Sequence, residues 1–204
     1  QISKDTSVQL VELNQSENIK NDTSAHFQQI SKDLIELSEK VKNTIISENK
    51  HFSFKFLELN TDFSDALRKE IRVWEKQYPK SLYIYIYRAT SDSDLRKINS
   101  EYELTREKNI GKRAFARINK DNRESNVLYV GSSRSIGQRT KDHLGFSSKS
   151  VFALQIYHWS RELDGYVELD ILRFEPITDY DVIQSIEDGL WDIHKPMFGR
   201  QGKK

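Results

Sequence analysis

Cysteine is absent from the 204 residues, methionine occurs once, proline three times and glycine eight times. Without a thiol there is no disulfide scaffold, no cysteine-ligated zinc and no cysteine nucleophile, and nothing points to secretion. No apolar run is long enough to span a bilayer, and the first residues lack a signal-peptide pattern. The expectation is therefore a cytoplasmic protein with no membrane partner. An excess of charge of one sign is also lacking. The net charge is +1, so the overall balance selects no partner class and local clusters must be read instead. A hydrophobic content of 36% supports a core of modest size, and a charged content of 31% places part of the chain in exposed helices.

The opening residues 1–23 are polar, with a short apolar cluster at Val8, Leu10, Val11 and Leu13 that suits one short helix before a loop. From Ser24 the pattern changes. Phe27, Ile30, Leu34, Leu37, Val41 and Ile45 recur at steps of three and four, with no glycine or proline among them. That spacing predicts an amphipathic helix, either a dimerising coiled coil or arm, or a helix packed on its own domain. HFSFKFLEL, residues 51–59, alternates like a strand. Asn60, Thr61 and Asp62 offer caps to a helix with Phe63, Leu67, Ile71 and Trp74 on one face, ending at or before Tyr78 because Pro79 follows. Residues 1–78 are thus expected to form a mostly helical N-terminal module.

In LYIYIYR, Leu82, Ile84 and Ile86 fall on one face of a strand and Tyr83, Tyr85 and Tyr87 on the other. Three tyrosines on one face need partners for their hydroxyls or a task, although aromatic residues also simply favour strands. Residues 89–125 are charged, with a weak helical pattern at Leu95, Ile98, Tyr102 and Leu104 or Thr105. The run from Lys108 to Lys120 carries five basic residues, Lys108, Lys112, Arg113, Arg117 and Lys120, and no acid, with Phe115 among them. This suits a nucleic-acid backbone or a solvated surface loop.

Val127 to Gly145 reads as a strand delivering Tyr129 to its end, a turn at Gly131, and a helix that places Arg139 and His143 one turn apart on one face. An arginine fork suits a phosphodiester. Residues 150–159 favour a helix. Val167–Glu175 alternates as a third strand closed by Pro176. Thr178 and Asp179 cap a helix running to about His194, with Ile183, Ile186, Leu190 and Ile193 as its buried face. Glu187 lies beside that stripe, and a half-buried carboxylate there calls for a cation. Lys195-Pro196 ends the helix, and a basic tail containing Arg200 follows.

A strand with YIY, a second strand ending in YVG, an arginine after that tyrosine and a late helical glutamate followed by Lys195-Pro196 resemble the GIY-YIG nuclease family over about Leu82–Gly202. The resemblance implies an α+β fold with a small three-stranded antiparallel sheet flanked by helices, occupying 79–204 behind the helical module 1–78. It also implies hydrolysis of DNA phosphodiesters with one divalent metal, Mg2+ or Mn2+. Carried over residue by residue, the first tyrosine matches Tyr85, with Tyr83 or Tyr87 as one-step alternatives. The second tyrosine matches Tyr129, the arginine Arg139, the group one turn later His143, and the metal-binding glutamate Glu187. In the implied mechanism one tyrosine takes a proton from the attacking water and the other positions it. Tyr85 is the first choice of base, Arg139 neutralises phosphate charge, and His143 bonds the phosphate or the base. Lys108, Lys112, Arg113, Arg117, Lys120, Lys195 and Arg200 are the expected DNA contacts.

Three features depart from the family pattern. The leading glycine of the first motif is Tyr83, residues 88–125 form an insertion between the two motifs, and Gly199 stands where an asparagine is common. KPMFGRQG is similar to the restriction-endonuclease branch. The expected partners are double-stranded DNA and a second copy of the chain, paired through the N-terminal helix. The competing readings are a catalytically silent DNA-binding protein and an oligomeric interaction protein on the same fold.

Overall fold

The structure is a computed structural model that describes residues 24–90 and 93–202. The chain divides into two units at 43/44. In the first unit, residues 24–42 form helix α1. Its sequence supports this with a continuous run free of helix breakers and a Glu36–Lys40 pair at 3.0 Å. Phe27, Ile30, Leu34 and Ile35 are exposed on it, while Leu37 and Val41 are half-buried. The helix stops short of Ile45, which is itself exposed. The helix expected around Val8–Leu13 and the loop after it lie outside the described residues.

The second unit is α+β, built on a four-stranded antiparallel sheet in the order β1-β4-β2-β3. Strand β1 is Glu48–Lys55, β2 Leu82–Ala89, β3 Val127–Ser133 and β4 Tyr166–Phe174. Two expectations are corrected here: the sheet has four strands rather than three, and the boundary falls at 43/44 rather than 78/79. The reason is one set of pairings. Phe52 and Phe54 point inward from β1, and the whole strand pairs with β4 from Glu48↔Arg173 to Lys55↔Tyr166. Residues 48–77 therefore belong to the sheet unit.

Helix α2, Thr61–Gln77, starts where the Asn60 side chain accepts from the Phe63 amide at 2.9 Å. It ends at Tyr78, ahead of Pro79, and buries Leu67, Ile71 and Trp74. Strand β2 is central and buried on both faces. Its tyrosines enter the main core with α2, and Leu82 and Ile84 meet Ile183 on the opposite face. Between β2 and β3 the insertion forms helix α3, Leu95–Lys108, capped by Asp94. It is not a loose appendage. Tyr102 of α3 stacks on Phe198 with centroids 3.8 Å apart and donates to the Ala116 carbonyl.

Helix α4, Ile136–Leu144, packs on α2. At their contact a Cβ on Gly137 would lie 2.4 Å from Arg72 Cγ. The Gly137 amide donates to Glu75 at 3.3 Å, and Lys141 pairs with Asp65 at 2.7 Å. Residues 150–159 are not the expected helix; they run irregularly and contain one 3-10 turn, Ile156–His158. Gln155 is left-handed at φ 57°, and the backbone is drawn into a parallel bridge between Phe115 and Ala153. Tertiary pairing with the insertion thus overrides a local helical pattern.

Helix α5, Tyr180–His194, covers the second sheet face through Ile183, Ile186 and Leu190. Ile193 was expected on that face but is 75% exposed. Over the last turn the inward positions pass to Trp191, which packs with Ile86 and Val130, and to the half-buried His194. The chain then returns along β3, with the Met197 and Phe198 amides donating to Val127 and Leu128 at 2.8 and 3.0 Å. Among the described residues no helix is long and apolar enough to cross a membrane.

Candidate functional site

Tyr85 on β2 and Tyr129 on β3 stand side by side because Tyr85 pairs with Gly131, two residues beyond Tyr129. Their rings lie parallel within 3°, with centroids 6.1 Å apart. Gly131 does not make the turn expected of it. It lies inside β3, and its role is space: a Cβ there would sit 2.6 Å from Tyr85 Oη and 2.8 Å from Tyr129 Cε1. Gly199 does the same from the returning tail. It has φ +104°, and its would-be Cβ meets the Tyr129 ring at 2.8 Å.

Helix α4 brings Arg139 and His143 onto these rings. Arg139 Nε donates to Tyr85 Oη at 3.0 Å, and Nη2 donates to Tyr129 Oη at 3.3 Å and to the Phe152 carbonyl at 3.0 Å. One guanidinium thus spans both tyrosines and the segment after α4. His143 is fully buried. Its Nδ1 accepts from the Leu154 amide at 3.2 Å, which leaves the proton on Nε2 to be donated to Tyr85 Oη, also at 3.2 Å. Both lone pairs of the Tyr85 hydroxyl are therefore occupied by donors.

The electrostatics agree with this wiring. Burial, followed by the Arg139 charge, holds the His143 imidazole well below its ordinary range, so it is neutral at pH 7. Burial raises the Tyr85 phenol well above 10, Tyr129 adds to this, and Arg139 opposes it. For Arg139 burial works downward, but Tyr85 and Tyr129 outweigh it and the net shift is upward, so its charge is permanent. The neighbouring strand tyrosines belong to the core. Burial pushes Tyr83 up to about 12 and also raises Tyr87.

Glu187 on α5 is half-buried. Burial raises its carboxyl and Asp188 adds to this, while the Ser132 hydroxyl and Arg139 pull the other way. It is close enough to Tyr85 for their charges to act on each other. Asp188 faces elsewhere, accepting from the Gly202 amide at 2.9 Å and from Gln184 at 3.2 Å to pin the tail. Among the described residues no group of three or more histidine and carboxylate side chains is arranged to hold a metal.

A cavity of about 320 Å³ opens over Tyr129 and Arg139, and Arg106, Arg117, Phe152 and Arg200 also line it. A neighbouring cavity of about 490 Å³ shares Arg106 and Phe152 and adds Lys112, Arg113 and Lys149. Of the basic residues singled out in the sequence, the fold brings Arg117 and Arg200 to the first cavity and Lys112 and Arg113 to the second. Lys108, Lys120 and Lys195 line neither. Arg113 is partly committed, donating to Gln155 at 2.7 Å.

Among the expected catalytic positions, Tyr85, Tyr129, Arg139 and His143 are in mutual contact and Glu187 is electrostatically coupled to them. Of the two partners expected for His143, the phosphate or the base, its burial and its two engaged ring nitrogens exclude the phosphate and leave Tyr85, which it positions. Arg106, Phe152 and Lys149 were missed. Arg106 lies just ahead of the basic run, and Phe152 in a stretch whose pattern suggested a helix, so neither carried a signal of its own. Compared with protein-family models, curated proteins and solved structures, the chain matches none.

Proposed function

We propose that the protein is a metal-dependent endonuclease acting on DNA phosphodiesters. The observation that carries this reading is the junction of Arg139 with both tyrosine hydroxyls beside a cavity that Arg106, Arg117 and Arg200 also line. Four guanidinium groups around one opening, with no acid lining it, suit a polyanion. DNA rather than RNA is chosen from the resemblance of the tyrosine motifs to the GIY-YIG nucleases.

Tyr129 lines the cavity and Tyr85 does not. This favours Tyr129 as the group that holds the attacking water and accepts its proton. Tyr85, neutral and doubly bonded, fixes Arg139 in place, and His143 fixes Tyr85. Arg139 offsets the charge gathering on the phosphate in flight. Mg2+ or Mn2+ fits the Glu187 carboxylate, since such ions keep several waters and take one or two carboxylates, and Ser132 and Arg139 offset its desolvation only in part. Bound there, the ion would supply Lewis-acid stabilisation of the phosphate and the departing oxygen.

The exposed α1 stripe supports pairing with a second copy, which would supply two sites for two strands. Light scattering of the wild type and Leu34→Asp tests this, with a dimer expected only for the former. The activity is tested by plasmid cleavage with magnesium, comparing the wild type with Glu187→Ala and Arg139→Ala. Cleavage by the wild type alone, with both variants folded, supports the mechanism. A wild type that binds DNA without cutting favours the catalytically silent binder, and unimpaired cutting by Glu187→Ala removes Glu187 from the site.

A further inference from the structure

The second cavity has no part in the chemistry above, yet its lining has a definite character. Two large apolar side chains stand exposed on its walls, Ile110 at 78% and Phe152 at 69%. Arg106, Lys112 and Lys149 surround them, and no acidic residue takes part. The wall is also fixed. The Ala114 amide donates to the Lys149 carbonyl at 2.7 Å and the Ala116 amide to Ala153 at 2.9 Å, so the basic segment of the insertion is laced along residues 149–153.

Phe152 lines both cavities, and its carbonyl is held by Arg139 at 3.0 Å. Its backbone is therefore anchored beside whatever Arg139 binds, with the exposed ring next to it. An apolar platform rimmed by cations matches the two parts of a nucleotide, a flat base and an anionic phosphate.

We propose that this second cavity is a nucleotide subsite: a base next to the phosphate held by Arg139 leaves the DNA stack and lies on the Phe152 ring, with Arg106, Lys112 and Lys149 on its own phosphates. The inference rests on the nuclease reading for the identity of the strand. Extruding a base costs it its stacking in the duplex, and the Phe152 face replaces part of that contact. The subsite would make the enzyme sensitive to the flanking base and to how readily it unstacks.

The test uses the full chain and a fluorescein-labelled DNA duplex in EDTA, so that binding is read without cleavage. Phe152→Trp places a reporter on the platform. Its added emission is expected to be quenched by bound duplex, with affinity close to that of the wild type. Phe152→Ala removes an exposed ring while leaving the carbonyl that Arg139 uses, so folding is retained, and binding is expected to weaken roughly 10-fold or more. Duplex that binds without quenching the new tryptophan, or that binds Phe152→Ala as tightly as the wild type, overturns the subsite. Plasmid cleavage, run in parallel, separates the two readings. Cutting without quenching keeps the nuclease and loses the subsite, and quenching without cutting does the reverse.

Discussion

Replacing Gly131 with alanine tests whether the two tyrosines are held as a unit. The added methyl carbon would sit 2.6 Å from Tyr85 Oη and 2.8 Å from both Tyr85 Cζ and Tyr129 Cε1. Ordinary carbon contacts lie at about 3.5–4.0 Å, so the rings must retreat by about 1 Å. Tyr85 has nowhere to go. Its hydroxyl is tied to Arg139 and His143, and its ring is flanked by Tyr87, Tyr129 and His143. Overpacking of this kind costs about 1–3 kcal/mol, and breaking the charge-assisted bond from Arg139 costs about 1.5–3 kcal/mol. Relaxation will trade one against the other, so the net loss should be about 2–4 kcal/mol. At about 2–4 °C per kcal/mol for a chain of this size, Tm should fall by about 5–15 °C. A misplacement of 1 Å can cost about 10²-fold in rate, and DNA cleavage should fall by that order at temperatures where the variant is folded. Thermal denaturation and timed plasmid cleavage read the two effects. Gly189→Ala is the control: it lies in α5 with nothing within 4 Å of its would-be Cβ, and should gain about 0.5–1 kcal/mol. If Gly131→Ala matches the wild type in Tm and in rate, the glycine is not there to make room for the tyrosines and the proposed geometry is wrong.

Arg139→Lys keeps the charge but cannot reach Tyr85, Tyr129 and the Phe152 carbonyl from one planar group, so cleavage should fall at least about 10²-fold in a folded protein whose circular dichroism is unchanged. His143 has a folded pKa well below its unfolded value of about 6.5, so the unfolded chain binds the extra proton. Stability should be full above about pH 6.5 and fall below it by up to about 1.4 kcal/mol per pH unit for this one site, read by urea melts from pH 7.5 to 5. His158 and His194 are lowered too and act in the same direction. A flat profile over that range would mean that His143 is not buried neutral. Glu187 is shifted the opposite way for an acid: its carboxyl is raised chiefly by burial, so ionising it opposes folding as pH rises through its folded pKa. Glu187→Gln should raise Tm at pH 7–8, lose that advantage below about pH 4.5, and abolish cleavage; a lower Tm at pH 7 would show that the carboxylate is stabilising as it stands.

Much of the secondary structure was legible in the sequence because it is local. The three-and-four spacing of Phe27 to Val41, the Asn60 cap before α2, the alternation of Leu82 to Tyr87 and the Arg139–His143 interval all follow from helix and strand periods. Those periods fixed which residues share a face, and so which tyrosines, arginine and histidine could meet. Long-range pairing lay beyond their reach. Only the tertiary structure places β1 beside β4, which moved the boundary from 78 to 43 and gave the sheet its fourth strand. Tertiary bonds, among them the parallel bridge to Phe115 and the bonds to Arg139 and His143, hold residues 150–159 out of a helix. Gly131 shows the distinction most clearly. The sequence marked it as a glycine at the end of an apolar run, where a turn is the local reason for one. The structure gives a non-local reason, two aromatic rings crossing the space a side chain would fill. The same holds for His143, whose spacing put it on the right face while its complete burial decided that it orients Tyr85 and cannot reach a substrate.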